Sequence, residues 1–135
     1  MIPIVAGQTL EVTDRQGKVH KLRYITELDN QMEYFKLSQI RRKEIDRFEA
    51  EVEAEGNLPE EPKQREIELY QRATDKQTSW RNENPESWFP LLDRYIKLFV
   101  VDEEPVLYHP KMVLWGLIQE NMYTLTGLTV EDSKN

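Results

Sequence analysis

Residues 84–99 read NPESWFPLLDRYIKLF, and this segment indicates a mainly helical body. Its large apolar side chains follow an i, i+4, i+7, i+8, i+11 series, which is the spacing of one helix face. The members of this stripe are Trp88, Leu92, Tyr95, Ile96 and Phe99. Proline is costly in the interior of a helix, so Pro90 is expected to fit only if the helix begins near Ser87. The pattern therefore predicts a helix over 87–101.

A second apolar stripe follows His109-Pro110 and predicts a helix over 110–125. It consists of Leu114, Ile118, Met122 and Leu125, with Trp115 adjacent. Gly127 is placed to end this helix in a left-handed conformation. The connection between the two helices is short, and short connections favour antiparallel neighbours. We therefore expect an antiparallel pair that holds the main core.

The middle of the chain predicts further helices. A short helix from about Thr26 to Leu37 and a second over 38–55 are expected, with Ser38 as a cap and Gly56 as a terminator. A proline-containing loop spans 57–62. The helix predicted over 65–80 has a thin apolar stripe, so it is expected to be partly exposed or to be covered by a second copy or a partner helix.

The chain begins with a predicted β-hairpin. Alternating residues over 8–13 and 18–24 flank the turn at 14–17, and a change of phase near His20 suggests a bulge. The predicted fold class is α+β, an N-terminal hairpin packed on four or five helices. One domain is expected over 1–135, with the hairpin at 1–25, the helical body at 26–126 and a frayed tail at 127–135.

Composition narrows the functional classes. The 135 residues carry a net charge of −7 and no cysteine, which excludes disulfides and thiol chemistry. An acidic chain repels nucleic acid and anionic lipid, so neither is expected as a partner. No apolar run reaches 18 residues, and the first six residues lack the basic flank of a signal peptide. We expect a soluble cytosolic protein.

Motifs of catalysis and metal binding are not found. The five glycines are too far apart for a phosphate loop, and neither His20 nor His109 has a histidine four residues on. The acidic run 102–104 is better explained as a polar helix end and turn than as a cation site. The sequence predicts a protein that is not an enzyme and has no cofactor and no metal.

Aromatic residues suggest protein binding instead. Trp80, Trp88 and Phe89 lie at a predicted helix boundary, where they either fill the core or anchor an interface. Tyr70 belongs to the thin stripe just upstream. These four residues are the candidate protein-binding site, and we expect a homo-oligomer or a stable heterocomplex.

The segment Leu10–Asp29, LEVTDRQGKVHKLRYITELD, resembles the opening of small phage tail assembly chaperones. Those proteins begin with a short hairpin followed by a step into helices. The rest of the chain is similar in its helical body and acidic balance, although its second half is richer in tryptophan and proline. The resemblance implies a non-enzymatic protein in the cytoplasm of an infected bacterium, or in the virion, that masks a helical tape-measure protein.

Two alternatives stay open. A small structural subunit of a phage particle, such as a neck, adaptor or decoration protein, would use the same helices in permanent symmetric contacts. A hydrolase or nuclease would instead show a concave pocket in which polar groups with shifted pKa values converge.

Overall fold

The structure is a computed structural model that describes residues 8–101 and 107–127. Within these ranges, one antiparallel hairpin of two strands is followed by five helices. The elements are β1 (Thr9–Thr13), β2 (Val19–Arg23), α1 (Leu28–Glu55), α2 (Pro62–Glu83), α3 (Pro85–Phe99), α4 (Tyr108–Glu120) and α5 (Met122–Thr126). The α+β class is confirmed. None of the described helices has the length and apolar content needed to cross a membrane.

The chain groups into two compact units. The first comprises Met1–Phe35 and Pro90–Asn135, and the second comprises Lys36–Phe89. Helix α1 therefore begins in the first unit and ends in the second, and α3 has its first turn in the second unit. The single domain over 1–135 stays a prediction, and residues 128–135 of the expected tail lie outside the described residues.

The hairpin pairs β1 with β2 without interruption, from Thr9 opposite Arg23 to Thr13 opposite Val19. The predicted bulge near His20 is therefore wrong. His20 is buried together with Leu22, whereas Val19 is exposed. The change of phase arises because a histidine, and not a valine, occupies the inward position of the strand.

Backbone hydrogen bonds attach the hairpin to the helices of the first unit. The amide of Val101 donates to the carbonyl of Lys21 at 3.1 Å, and Leu22 forms an isolated antiparallel bridge with Val100. The amide of Ile25 donates to the carbonyl of Leu125 at 2.8 Å. A two-stranded hairpin is marginal by itself in water, so these contacts are what stabilise it.

The core of the first unit is formed by the two predicted apolar stripes. The buried residues of α3 and α4–α5 in this unit include Leu92, Tyr95, Ile96, Phe99, Leu114, Trp115, Ile118, Met122 and Leu125. Tyr95 packs on Trp115 with ring centroids 4.7 Å apart, which joins α3 to α4. The antiparallel order of the two helices stays a prediction.

The predicted helix over 110–125 is interrupted, so that expectation is wrong in one respect. Asn121 has φ −110° and ψ 10° and separates α4 from α5. Its side-chain amide donates to the carbonyl of Leu117 at 2.8 Å. An asparagine that bonds nearby backbone in this way competes with the helix ladder. Gly127 has φ 75° at the end of α5, as predicted.

Helix α1 is a single element of 28 residues, and the expected division at Ser38 is wrong. The sequence from Leu28 to Glu55 contains neither glycine nor proline, so nothing forces the helix to stop. A serine inside a helix lowers its stability by only about 0.5 kcal/mol relative to alanine. Gly56 ends the helix with φ 78°, as predicted.

Helix α2 is longer than predicted, because its capping residues lie outside the apolar pattern. Glu61 caps it by accepting from the amides of Lys63 and Gln64, and Pro62 occupies the first turn. In the second unit α1 packs on α2 through a small apolar cluster. This cluster contains Phe48, Val52 and Ala73, with Leu58, Leu69 and Trp80 against it.

Helix α3 runs from Pro85 to Phe99, which confirms the helix predicted over 87–101 with both ends two residues earlier. Pro85 suits the first helical position because its missing N–H would have no intrahelical partner there. Pro90 lies inside the helix and leaves the carbonyl of Glu86 without its usual donor. The helix continues through it, supported by the buried stripe that follows.

Candidate protein-binding surfaces

The four predicted binding residues all belong to the second unit but differ in exposure. Trp88 is only 2% exposed, Trp80 is half-buried, and Tyr70 and Phe89 are exposed. For Trp88 the core alternative is therefore confirmed. The surface that the sequence suggested reduces to Tyr70 and Phe89, with one side of Trp80.

Trp80 is held in the second unit by a tilted contact with another aromatic ring and by a cation–π contact. Its ring centroid lies 6.1 Å from that of Phe48. The guanidinium of Arg47 lies over both rings, at 4.4 Å from Phe48 and 4.8 Å from Trp80. An arginine over an aromatic face gains from the ring quadrupole and excludes water from the ring. Trp80 thus seals the apolar cluster between α1 and α2.

Trp88 is covered by another arginine. The guanidinium of Arg81 lies 3.8 Å from the centre of the indole. Arg81 Nε also donates to Glu44 Oε1 at 2.9 Å, and the same oxygen accepts from Gln77 Nε2 at 2.8 Å. Both side chains of the Glu44–Arg81 pair are largely buried. This network fixes the arginine and keeps the indole from solvent.

The outer face of α2 carries the apolar side chains that α1 does not cover. Ile67 is 53% exposed and Tyr70 is 56% exposed, three residues apart on one helix face. We call these two residues the α2 patch. The helix is therefore partly exposed, which is one of the two expected outcomes, and α1 packs against its inner face through the cluster around Ala73.

A second exposed apolar surface lies on α1 and was not singled out in the sequence. Leu28, Met32 and Phe35 are 70%, 50% and 61% exposed. We call them the α1 stripe. Their i, i+4, i+7 spacing was visible in the sequence, but spacing alone does not tell which helix face the rest of the chain leaves uncovered.

A groove of about 710 Å³ lies in the first unit between the hairpin turn and α4. We call it the turn groove. Apolar side chains of α4, among them Met112, Val113 and Leu117, form one wall. The hairpin side contributes Arg15 and Lys18. Pro110 and His109 line it near the start of α4, and Glu120 near its end.

Asp14 organises the hairpin side of the turn groove. Its Oδ1 accepts from the amides of Gln16 and Lys18, each at 2.9 Å, and its Oδ2 lies 2.9 Å from His20 Nε2. The hydrogen bond with His20 lowers the pKa of the Asp14 carboxyl, and the two backbone amides lower it further, against an opposing contribution from burial. The carboxylate is thereby kept charged and fixed in the turn.

The enzyme alternative predicted a concave pocket in which polar groups with shifted pKa values converge, and the turn groove contains one group with a shifted pKa, Asp14. Here the shift has a structural cause, because both oxygens of Asp14 are occupied in holding the turn. Within residues 8–101 and 107–127, no group of three or more His, Asp or Glu side chains could hold a metal ion. The acidic run at 102–104 lies outside the described residues.

The chain matches no protein-family model, no curated protein and no solved structure.

Proposed function

We propose that this protein is a non-enzymatic binding protein that covers an apolar helical segment of another protein. The observation that carries the proposal is the turn groove, a concave surface with an apolar wall on α4. Its volume of about 710 Å³ is enough for several anchoring side chains. A helix laid in such a groove buries its apolar face, which prevents its aggregation.

Charge indicates which segment the groove would accept. Arg15, Lys18 and His109 line it, against Glu120 and the internally bonded Asp14. The two cations, Arg15 and Lys18, lie on the hairpin side of the groove, whereas Glu120 lies near the end of α4, so opposite charges occupy different edges of the apolar wall. An apolar helix with an acidic residue placed at the hairpin edge fits this surface, because complementary charges orient the partner and accelerate its approach.

The finer proposal is a phage tail assembly chaperone with a tape-measure protein as its partner. The segment 10–29, which carries the resemblance to such chaperones, includes the turn residues that line the groove, among them Arg15 and Lys18. The place of action would be the cytoplasm of an infected bacterium. The α1 stripe supports a second candidate, a structural subunit of the particle that uses its helices in symmetric contacts, because an exposed apolar helix face is suited to burial between identical copies.

Co-expression with the tape-measure protein of the same genome tests the proposal. We expect the chain to keep that protein soluble and to co-purify with it. Val113→Glu places a charge in the apolar wall and should abolish co-purification. Tyr123→Glu is the matched control, since Tyr123 is an exposed residue of α5 outside the groove lining. Circular dichroism must show that both variants remain folded.

The outcomes separate the candidates. Capture of the tape-measure protein by Val113→Glu as efficiently as by the wild type would rule out the turn groove as the binding site. Purified particles that lack the chain support the chaperone, whereas particles that contain it in stoichiometric amounts support the structural subunit. A tape-measure protein that aggregates equally with and without the chain would contradict the finer proposal.

A further inference from the structure

The α1 stripe places three large, exposed apolar side chains next to one another on one helix face. Its three members, Leu28, Met32 and Phe35, occupy about two turns of one helix face. Single exposed apolar residues are ordinary, but three large ones in a row mark a contact surface. The stripe lies on an element separate from the turn groove, so the inference below is independent of the proposed function.

The opposite face of the same turns is held by the chain itself. The ring of Tyr34 meets the ring of Phe99 edge-on, with centroids 6.2 Å apart. Glu33 accepts two hydrogen bonds from Arg94, at 2.7 Å and 3.2 Å. These contacts fix the rotation of α1 about its own axis, so the stripe cannot turn inward and stays available to another chain.

Charged residues at the edge of the α1 stripe indicate which partner has complementary charges. Asp29 and Lys36 follow Leu28 and Phe35 directly, so they lie seven residues apart on the same edge. Both are exposed, and neither forms an ion pair within the part of the chain that the structure describes. When two copies of α1 pack in opposite directions about Met32, Asp29 of each copy lies opposite Lys36 of the other.

We propose that the α1 stripe is the interface of an antiparallel, two-fold symmetric dimer of this chain. The same residues on both copies bury each other's apolar side chains, as an isologous contact requires. Two Asp29–Lys36 ion pairs close one edge of the seam and set its direction. A parallel arrangement would instead bring Lys36 beside the uncharged Gln31, so it lacks this complementarity.

The proposed dimer interface is short, and its small buried area limits the affinity of the dimer. The next positions in the same spacing are Gln39 and Arg42, which are polar. Two turns of helix bury less than the roughly 1,200 Å² typical of stable complexes, so the dimer lies in the weak, concentration-dependent class. Association is therefore expected to increase across the micromolar range.

Sedimentation velocity of the full chain over a concentration series tests the interface. The wild type should shift from monomer to dimer, and Met32→Asp should weaken the dimer by about tenfold or more, as for a central anchor. Ile67→Asp in the α2 patch is the matched control, an exposed apolar residue on another helix, and should leave the dimer unchanged. A wild type that stays monomeric at every concentration overturns the proposal, as does a dimer that Ile67→Asp breaks and Met32→Asp does not.

A charge exchange tests the antiparallel order. Asp29→Lys and Lys36→Asp each create two like-charge contacts in a homodimer and should weaken it by roughly threefold to tenfold. Mixed in equal amounts, the two variants restore both opposite-charge contacts in the heterodimer, so the mixture should associate more tightly than either variant alone. If the mixture behaves as the average of the two variants, the antiparallel dimer is wrong. The co-expression result for the turn groove is unaffected by this outcome.

Discussion

Asp14 and His20 face each other across the hairpin turn, with Asp14 Oδ2 2.9 Å from His20 Nε2. The histidine is buried, and the aspartate gives its ring nitrogen the hydrogen-bond partner that a buried polar group requires. The same carboxylate closes the turn through two backbone amides. One side chain thus determines both the shape of the turn and the inward position of a polar residue in β2.

The lowered pKa of Asp14 makes the hairpin sensitive to acid. A carboxyl whose pKa is lower in the folded chain than in the unfolded chain stabilises the fold above its unfolded pKa of about 3.9. This stability is lost as the pH falls through the folded pKa. Asp14→Asn keeps one amide oxygen that can accept from the two turn amides but has no charge to lose, so its urea midpoint should fall less than that of the wild type between pH 5 and pH 3.

The control for this titration is Asp75→Asn, which changes an exposed carboxyl on α2. Its urea midpoint should follow the acid dependence of the wild type. Equal acid dependence for Asp14→Asn and the wild type would mean that the Asp14 contacts contribute nothing measurable to folding stability.

The strand phase at His20 shows what the sequence could and could not predict. Both strands and their turn were predicted, because alternation and a glycine-containing turn are local signals. The inward position of His20 was missed, since an apolar pattern assigns a histidine to the outside. The partner Asp14, six residues earlier and across the turn, contributes to making that position favourable, and no local pattern reports it.

The same limit applies to the helices and the binding surfaces. The apolar stripes of α3 and α4 were predicted because apolar residues recur there with helical spacing. The structure shows that both stripes are buried. Ser38 was misread as a cap because its side chain suits a helix start, although the continuous helix around it decides the outcome. The exposure of Met32 and the burial of Trp88 depend on tertiary packing, which no local pattern reports.

Truncation of Ile118 should destabilise the first unit strongly. This residue of α4 is completely buried. Ile118→Ala removes buried methyl groups and leaves a cavity, at a cost of about 2–5 kcal/mol in the free energy of unfolding. Tyr123→Ala, an exposed change on α5, should cost less than about 0.5 kcal/mol. Chemical denaturation measures both, and equal small effects would show that Ile118 does not belong to the core.

The buried Glu44–Arg81 ion pair of the second unit should contribute more to folding stability than an exposed ion pair on the same helix. Glu44→Ala deprives the largely buried Arg81 and Gln77 of their acceptor. Loss of one member of a buried pair costs about 3–5 kcal/mol, and partial exposure places this case toward the lower limit. Asp46→Ala removes only the exposed pair with Arg42 and should cost under about 0.5 kcal/mol. Comparable losses for the two variants in urea denaturation would contradict a structural role for Glu44.

Gly56→Ala and Gly116→Ala should change the thermal stability of the protein in opposite directions. Gly56 has φ 78° at the end of α1, a conformation that costs an alanine about 1–2 kcal/mol. Gly116 lies inside α4 without a positive φ, and no atom lies within 4 Å of an added Cβ. There alanine favours the helix by about 0.5–1 kcal/mol. Thermal unfolding should therefore show a lower Tm for Gly56→Ala and a higher Tm for Gly116→Ala. A raised Tm for Gly56→Ala would mean that α1 does not end in the left-handed turn at this residue.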